Sequence, residues 1–332
     1  MNLELGLVAA SALIFAVAAI SASVLSSVVF PRMAKPMARL EPASRANFLS
    51  AMAGFPLLAG LLIVCFTLAP SIAHSFGYGV DHCHTHGHHP HLCILHAVMF
   101  TGSTPERLLL TSLAVSVLAW FTVVGARLQR QWHVLRMLVA LGRTSDAEPR
   151  HRVVRSRRLF AITAGWLKPT IVVSSRMTDV LTPGELTAVL AHEQAHQRRR
   201  DSLRLLLAEI VSKPHWPATR RRILGQLNLA IEQACDEAAA HRSGDRLGVA
   251  ETIVKLTRLG AAAERVPLSP CPAFIGADAT LRVQALLQPS IAARRSLAVV
   301  ALLSVLLLAI SGLATSEWWH HTAESLLGPH LG

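Results

Sequence analysis

The sequence predicts a mainly α-helical membrane protein, in which four transmembrane helices accompany one cytoplasmic α+β domain with a small β-sheet. The chain of 332 residues is 52% hydrophobic and has a mean hydropathy of +0.42, which is too apolar for an ordinary soluble domain. Its longest apolar stretches are free of charged residues. One long polar region instead combines β-rich runs with amphipathic helical patterns, which indicates a folded domain outside the bilayer.

Four stretches are long enough to cross a bilayer, for which about 20 apolar residues are needed. They cover residues 5–30, 48–73, 108–128 and 296–314. One such stretch alone could be a buried core helix, but four in one chain favour membrane insertion. Because Glu4 precedes the first stretch and no basic residue occurs before Arg32, we expect a retained span rather than a cleaved signal peptide.

The basic residues orient these spans. The linker over residues 31–47 holds four basic residues against the single acidic Glu41, whereas Arg107 is the only Lys or Arg in the loop over 74–107. The positive-inside rule therefore places the N-terminus and the loop outside and the linker in the cytoplasm. The predicted organisation is a three-span membrane region over 1–128 with the external loop 74–107, a cytoplasmic domain over 129–295, a fourth transmembrane helix over 296–314 and a short external tail over 315–332.

The formal net charge of +12 fits this topology, because cytoplasmic segments beside an anionic leaflet gain from Lys and Arg. The sequence shows no helix-turn-helix or aromatic RNA-binding motif. The expected partner of the basic surface is thus the lipid bilayer, and we expect no direct binding of nucleic acid.

Local signals define the framework of the cytoplasmic domain. A helix continues from the third span through Leu135, and β-rich runs follow at 159–163 and 170–174. Thr182 then provides an N-cap, followed by proline at the first helical position and Glu185 three residues after the cap. This combination predicts the start of a helix.

The HEQAH motif in that helix has the spacing of a zinc hydrolase. His192 and His196 lie on one helical face, and Glu193 beside them can reach a metal-bound water. Downstream, IEQACDEAAAH places Glu232 and Asp236 on one face of a second helix. Glu232 suits the third ligand and Asp236 a hydrogen bond to a ligating imidazole. The alternatives are a pair of solvent-facing histidines and a solvated acidic face.

The motif and its surroundings resemble a known family. HEQAHQRRRD, preceded by LTPGELTAVLA and followed by EQACDEAAA, resembles the BlaR/MecR-type integral-membrane zinc metallopeptidases, which are antirepressor signal transducers. GWLKPTIVVSS at 165–175 and ATLRVQALLQP at 279–289 add to the similarity, as do three spans before the domain and one after it. The resemblance covers nearly the whole chain to about Ala314.

The resemblance implies a gluzincin-like metallopeptidase domain with one catalytic Zn²⁺, bound by His192, His196 and Glu232. Glu193 would be the general base, and Asp236 would support a ligating imidazole. The implied substrate is a cytoplasmic protein, a winged-helix repressor of the BlaI/MecI type, with self-cleavage as a second reaction. The implied location is the bacterial inner (cell) membrane.

Two details of the site stay open at this stage. Geometry suggests that the substrate adds a strand along the β segment near Ile162 or Ile171. The group that stabilises the oxyanion is His215, His241 or an arginine.

The chain departs from the family in its sensor. It contains no Ser-x-x-Lys motif, and only a short tail follows Ala314, so we expect no penicillin-binding domain. The external loop instead offers seven histidines and two cysteines in residues 81–96, a donor set that suits Cu, Zn or Ni. They are His82, Cys83, His84, His86, His88, His89, His91, Cys93 and His96. The two cysteines could instead form a disulfide, and the loop could bind metal only loosely.

The leading hypothesis is therefore a signalling protease that responds to an external signal such as a metal ion. A membrane quality-control or processing protease of the HtpX/CAAX type shares the zinc motif and is the alternative enzyme. A non-catalytic metal-binding membrane sensor is the alternative from a different class.

Overall fold

The computed structural model describes residues 2–78, 104–145, 149–260, 279–288 and 310–331. It is mostly helical and contains one small sheet. The chain divides into two compact units. The first comprises Met1–Ser27, Phe55–Thr122 and Arg294–Gly332, and the second comprises Val28–Gly54 and Val123–Ala293.

Three helices of the described residues are long and apolar enough to cross a membrane: Leu7–Ala38, Pro42–Ala73 and Leu110–Leu141. They correspond to the first three predicted spans, and each of them continues beyond one end of the apolar stretch that predicted it. The helices themselves are α1 (Asn2–Val29), α2 (Ala34–Ala38), α3 (Pro42–Ser75) and α4 (Thr104–Leu141). Most of the fourth predicted span lies outside the described residues.

In the first unit, a C-terminal helix packs against the membrane helices. This helix, α11 (Ser316–Leu331), occupies most of the segment that the sequence suggested as a short tail. Ala323 packs with Ala10 of α1, and His320 donates a hydrogen bond from Nδ1 to the backbone carbonyl of Thr67, 2.9 Å away. These two contacts attach α11 to α1 and α3.

The sheet belongs to the second unit and has the order β1-β2-β4-β3. Strands β2 and β4 are parallel, and the other two pairs are antiparallel. The strands are β1 (Arg143–Ser145), β2 (His151–Val154), β3 (Ala161–Ala164) and β4 (Thr170–Ser174). The two predicted strands correspond to β3 and β4, whereas β1 and β2 were missed because they are short and rich in polar residues.

Helices of the second unit cover one face of this sheet and form its main core. Residues of β3 and β4 pack with Val189, Ala239 and Ile253, which lie on three different helices. The helices are α5 (Ser175–Val180), α6 (Pro183–Arg199), α7 (Asp201–Val211), α8 (Pro217–Ser243), α9 (Arg246–Arg258) and α10 (Ala279–Leu287). The start of α6 carries the predicted capping box, in which Thr182 and Glu185 satisfy each other's backbone N–H groups.

A second core joins α7 and α8 to residues 30–53, which include the first turns of α3. Leu49 of α3 is fully buried among Leu205 of α7 and Ile223 and Leu227 of α8. Arg45 of α3 also donates a hydrogen bond to the side-chain oxygen of Gln233 on α8. The helix that carries the downstream acidic pair is therefore in direct contact with residues 28–54, which belong to the same unit.

Candidate metal centre

The two histidines of the HEQAH motif point at the same place. His192 and His196 are one helical turn apart on α6, are fully buried, and hold their Nε2 atoms 3.0 Å apart. Their rings cross at 78° instead of stacking. This arrangement presents two imidazole nitrogens to one point, as the i, i+4 spacing predicts.

Glu232 brings a third donor from α8. Its two carboxylate oxygens lie 3.5 Å from Nε2 of His192 and 3.6 Å from Nε2 of His196. In a tetrahedral zinc site with bonds of about 2.0–2.2 Å, neighbouring donor atoms are about 3.4 Å apart. The two imidazoles and the carboxylate therefore fit a zinc ion, and a set of three protein ligands leaves the fourth position for water or substrate.

The far side of each imidazole is held by an aspartate. Oδ1 of Asp236 lies 2.9 Å from Nδ1 of His192, and Oδ2 of Asp201 lies 2.9 Å from Nδ1 of His196. When the proton of a neutral imidazole lies on Nδ1, next to the aspartate, Nε2 carries the lone pair that can bind a metal ion. Burial alone would lower the pKa of His192, but Asp236 and Glu232 outweigh burial and raise it to about 9 in the absence of metal, so a cation that binds Nε2 must displace a proton there. Asp236 is the residue that the sequence suggests for such a contact, whereas Asp201 is not among the predicted residues.

A break between α6 and α7 allows Asp201 to contact His196. Residues five apart on a continuous α-helix point about 140° away from each other, so Asp201 could not reach His196 from an unbroken α6. Arg200 interrupts the helix with a left-handed backbone (φ 52°, ψ 44°), and α7 begins again at Asp201. Within the described part of the chain, Arg200 is the one non-glycine residue that has a positive φ. The strained residue thus serves the geometry of the site.

We predict that Arg200→Gly raises thermal stability. A left-handed backbone costs an L-residue about 1–2 kcal/mol, more than the entropy cost of about 0.5–1 kcal/mol that glycine adds. Thermal unfolding of the detergent-solubilised chain measures the change. Arg198→Gly is the matched control, because Arg198 is exposed but helical and its replacement should cost about 1 kcal/mol. Equal losses of stability in both variants would contradict the prediction.

Glu193 lies beside the histidines in the sequence, and its carboxylate contacts strand β3. It is fully buried, and its Oε2 accepts a hydrogen bond of 2.7 Å from Thr163 Oγ1 on strand β3. Its Oε1 has no hydrogen-bond partner among the described residues. Burial raises the pKa of Glu193 above the ordinary value for a glutamate. A carboxylate with a raised pKa and one oxygen that has no partner among the described residues is a better proton acceptor than an ordinary glutamate.

Arg282 from α10 closes the site on its acidic side. Its guanidinium donates to both oxygens of Asp236, with Nε 2.8 Å from Oδ2 and Nη2 2.6 Å from Oδ1. Nη1 lies 3.2 Å from Oε2 of Glu232. Burial alone would raise the pKa values of both carboxyls, but Arg282 first and the neighbouring histidines second outweigh burial and hold these pKa values below their usual range. Both groups are therefore kept ionised as a zinc site requires.

The buried thiol of Cys235 is a neighbour of this centre. The donor atoms of His192, His196 and Cys235 lie within 4.8 Å of one another. However, Sγ lies 3.2 Å from Nδ1 of His196, the side that Asp201 occupies, and Glu232 alone of these groups faces both Nε2 atoms. Burial also raises the pKa of the Cys235 thiol, which disfavours the thiolate that a metal binds. The geometry therefore favours Glu232 over Cys235 as the group that could complete a metal site with the two histidines.

The remaining predicted residues are placed as follows. His215 is buried and donates a hydrogen bond from Nε2 to the carbonyl of Met52, 2.9 Å away, and His241 is exposed in the last turn of α8. The oxyanion role of His215, His241 or an arginine therefore stays a prediction. The histidines and cysteines of the external loop between His82 and His96 lie outside the described residues, so the metal site there stays a prediction.

Strand β4 lies inside the sheet, paired on both sides with β2 and β3. Ile171 therefore cannot accept an added strand, and that part of the sequence prediction is wrong. Strand β3 is an edge of the sheet that the described residues form, so the alternative at Ile162 stays open. The carbonyl of Thr163 on β3 accepts a hydrogen bond from Ser202 Oγ, 3.1 Å away, so a substrate strand would have to displace this contact.

Comparison with curated proteins and comparison with solved structures give no match. Comparison with family models does give one, described as Peptidase family M48, over residues 126–261. This range contains the two histidines, Glu193 and the downstream acidic pair, and ends before Arg282. Together with the apolar helices, the match supports a membrane metallopeptidase. Residues 126–261 are thus similar to the zinc metallopeptidases of family M48.

Proposed function

We propose that this chain is a membrane-embedded zinc endopeptidase that hydrolyses peptide bonds in a cytoplasmic protein. One observation carries the proposal: Nε2 of His192, Nε2 of His196 and the Glu232 carboxylate converge at distances that suit one tetrahedral ion. The match to family M48 supports the reaction class and carries no information on the substrate.

Each residue of the centre has a distinct part in the reaction. His192, His196 and Glu232 would hold Zn²⁺, which when bound supplies a Lewis acid and lowers the pKa of water. Glu193 accepts the proton of the attacking water on its free oxygen and passes it to the leaving amine. Thr163 holds the other oxygen of Glu193 and so orients that carboxylate.

The two aspartates keep the imidazoles in the form that binds metal. Asp236 and Asp201 accept the Nδ1 protons of His192 and His196, so Nε2 of each ring faces the centre. The substrate would extend edge strand β3, which carries Thr163, and so pass close to Glu193. The gluzincin-like fold remains part of this proposal.

The proposed substrate is a winged-helix repressor, by resemblance to the BlaR/MecR type, and the chain itself is a second candidate. The proposed topology keeps the N-terminus outside and the catalytic domain in the cytoplasm, within the bacterial inner membrane. The contact of Arg45 with Gln233, the neighbour of Glu232, supports a route by which movement of the second span alters the site. The activating signal would be metal at the external loop.

Purified full-length chain in lipid vesicles with Zn²⁺ tests the proposal against its alternatives. It is incubated with a winged-helix repressor encoded nearby and, separately, with an unfolded unrelated protein. Cleavage of the repressor alone supports the signalling protease. Cleavage of both substrates, unaffected by external metal, favours a processing or quality-control protease. A chain that binds zinc yet cleaves neither would support the non-catalytic sensor.

We predict that the cytoplasmic zinc site is independent of the external loop. Replacing all histidines and cysteines of residues 81–96 by serine should leave about one zinc per chain, because the donors of the proposed centre come from α6 and α8 alone. Elemental analysis of the purified chain measures the ratio of metal to protein. Loss of all zinc would contradict the prediction and favour the sensor that lacks catalytic activity.

A further inference from the structure

We propose that Arg282 is a positioning residue, which fixes the Glu232 and Asp236 carboxylates relative to each other and so sets the metal affinity of the centre. This inference rests on the proposed function and adds a residue outside the range that matches family M48. Arg282 reaches the centre from α10, an element separate from both helices that supply the proposed ligands.

The shape of the guanidinium explains the choice of arginine. One edge, Nε with Nη2, takes both oxygens of Asp236, while Nη1 faces Glu232. The planar group has its donors at fixed angles, so one side chain determines the orientation of two carboxylates one helical turn apart. Through Asp236 the same contact reaches His192, and through Glu232 it reaches the proposed metal ligand directly.

Arg282 is fully buried, and hydrogen bonds attach the helix that carries it to its neighbours. Its side chain is 1% exposed and heads the largest fully buried side chains of the described residues. The carbonyl of Leu281, its neighbour, accepts a hydrogen bond of 2.9 Å from Gln233 on α8. The carbonyl of Leu286, near the end of α10, accepts one of 3.0 Å from Arg246. The backbone of α10 is thus attached on both sides of Arg282.

Two opposing effects decide what loss of Arg282 would do. Removing its positive charge makes the centre more negative, which by itself favours a divalent cation. Removing its hydrogen bonds to Asp236 and its ion pair with Glu232 leaves both carboxylates free to rotate away from the histidines. Loss of the groups that support metal ligands usually weakens metal affinity by about 10–100-fold, so we expect the loss of orientation to dominate.

Two substitutions separate charge from geometry. Arg282→Met removes both, whereas Arg282→Lys keeps the charge but replaces the fork by a single ammonium. Arg246→Met is the matched control, because Arg246 also joins α10 to α8, through Glu237 and the Leu286 carbonyl, without contacting the centre. Zinc affinity is measured by competition with a chromophoric chelator, and the visible spectrum of Co²⁺-substituted protein reports the coordination geometry.

We expect both Arg282 variants to bind zinc at least about tenfold more weakly than the unmodified chain and to change the Co²⁺ spectrum. Arg246→Met should lower the thermal midpoint but leave affinity and spectrum unchanged. If Arg282→Met does not fold, the lysine variant carries the test. Zinc affinities within twofold of the unmodified chain, with an unchanged Co²⁺ spectrum, would overturn the inference. Failure of the unmodified chain to bind zinc would instead contradict the proposed function.

Discussion

Glu193→Gln is expected to abolish peptide hydrolysis while zinc stays bound. The amide keeps the shape of the side chain and its contact with Thr163 on β3. It cannot accept the proton of the attacking water, and loss of general-base catalysis typically costs about 10²–10⁴-fold in rate. Initial rates of cleavage by full-length chain in vesicles measure the effect, and elemental analysis of the same sample measures zinc.

The control for this variant is its neighbour on α6. Gln194→Ala removes a side chain that accepts a hydrogen bond from Arg242 and is only partly buried. Cleavage by this variant should stay within about twofold of the unmodified chain, as expected for a change outside the centre. Residual cleavage above a tenth of the original rate in Glu193→Gln would remove Glu193 from the proposed role.

Glu232→Ala is expected to lose zinc and activity together. The substitution removes the carboxylate whose oxygens face both Nε2 atoms, so only two of the three proposed ligands would remain for the ion. It also breaks the buried ion pair between Glu232 and Arg282, and breaking a buried ion pair costs about 3–5 kcal/mol. Chelator competition measures zinc affinity, and thermal unfolding measures the loss of stability.

Glu237→Ala on the same helix provides the comparison. Glu237 pairs with Arg246, 2.5 Å away, and both side chains are about one-third exposed. Such a partly exposed pair contributes little, about 0–1 kcal/mol, so zinc affinity and cleavage should both be retained. If Glu232→Ala bound zinc as tightly as Glu237→Ala, the third ligand would have to be sought elsewhere, with Cys235 as the nearest candidate.

The features that the sequence alone determined depend on residues close together in the chain. Thr182 and Glu185 predict the capping box because both belong to the first turn of α6. Spacings of one helical turn place the pairs 192/196 and 232/236 on common faces, whatever the rest of the chain does. Length and composition likewise predict the first three membrane helices. The run at 170–174 also becomes the predicted strand.

Tertiary structure decided which distant groups complete the centre. Thr163 reaches Glu193 across 30 residues of sequence, and Arg282 reaches Asp236 across 46, separations at which no local periodicity carries information. Asp201 is close in sequence to His196 but reaches it only because the left-handed backbone of Arg200 breaks the helix. Strand order likewise left β3 at the edge and β4 inside, a choice that depends on the pairing of β2 with β4. The physical reason is common to all four: each contact follows from how separate elements pack, and packing is a property of the folded chain as a whole.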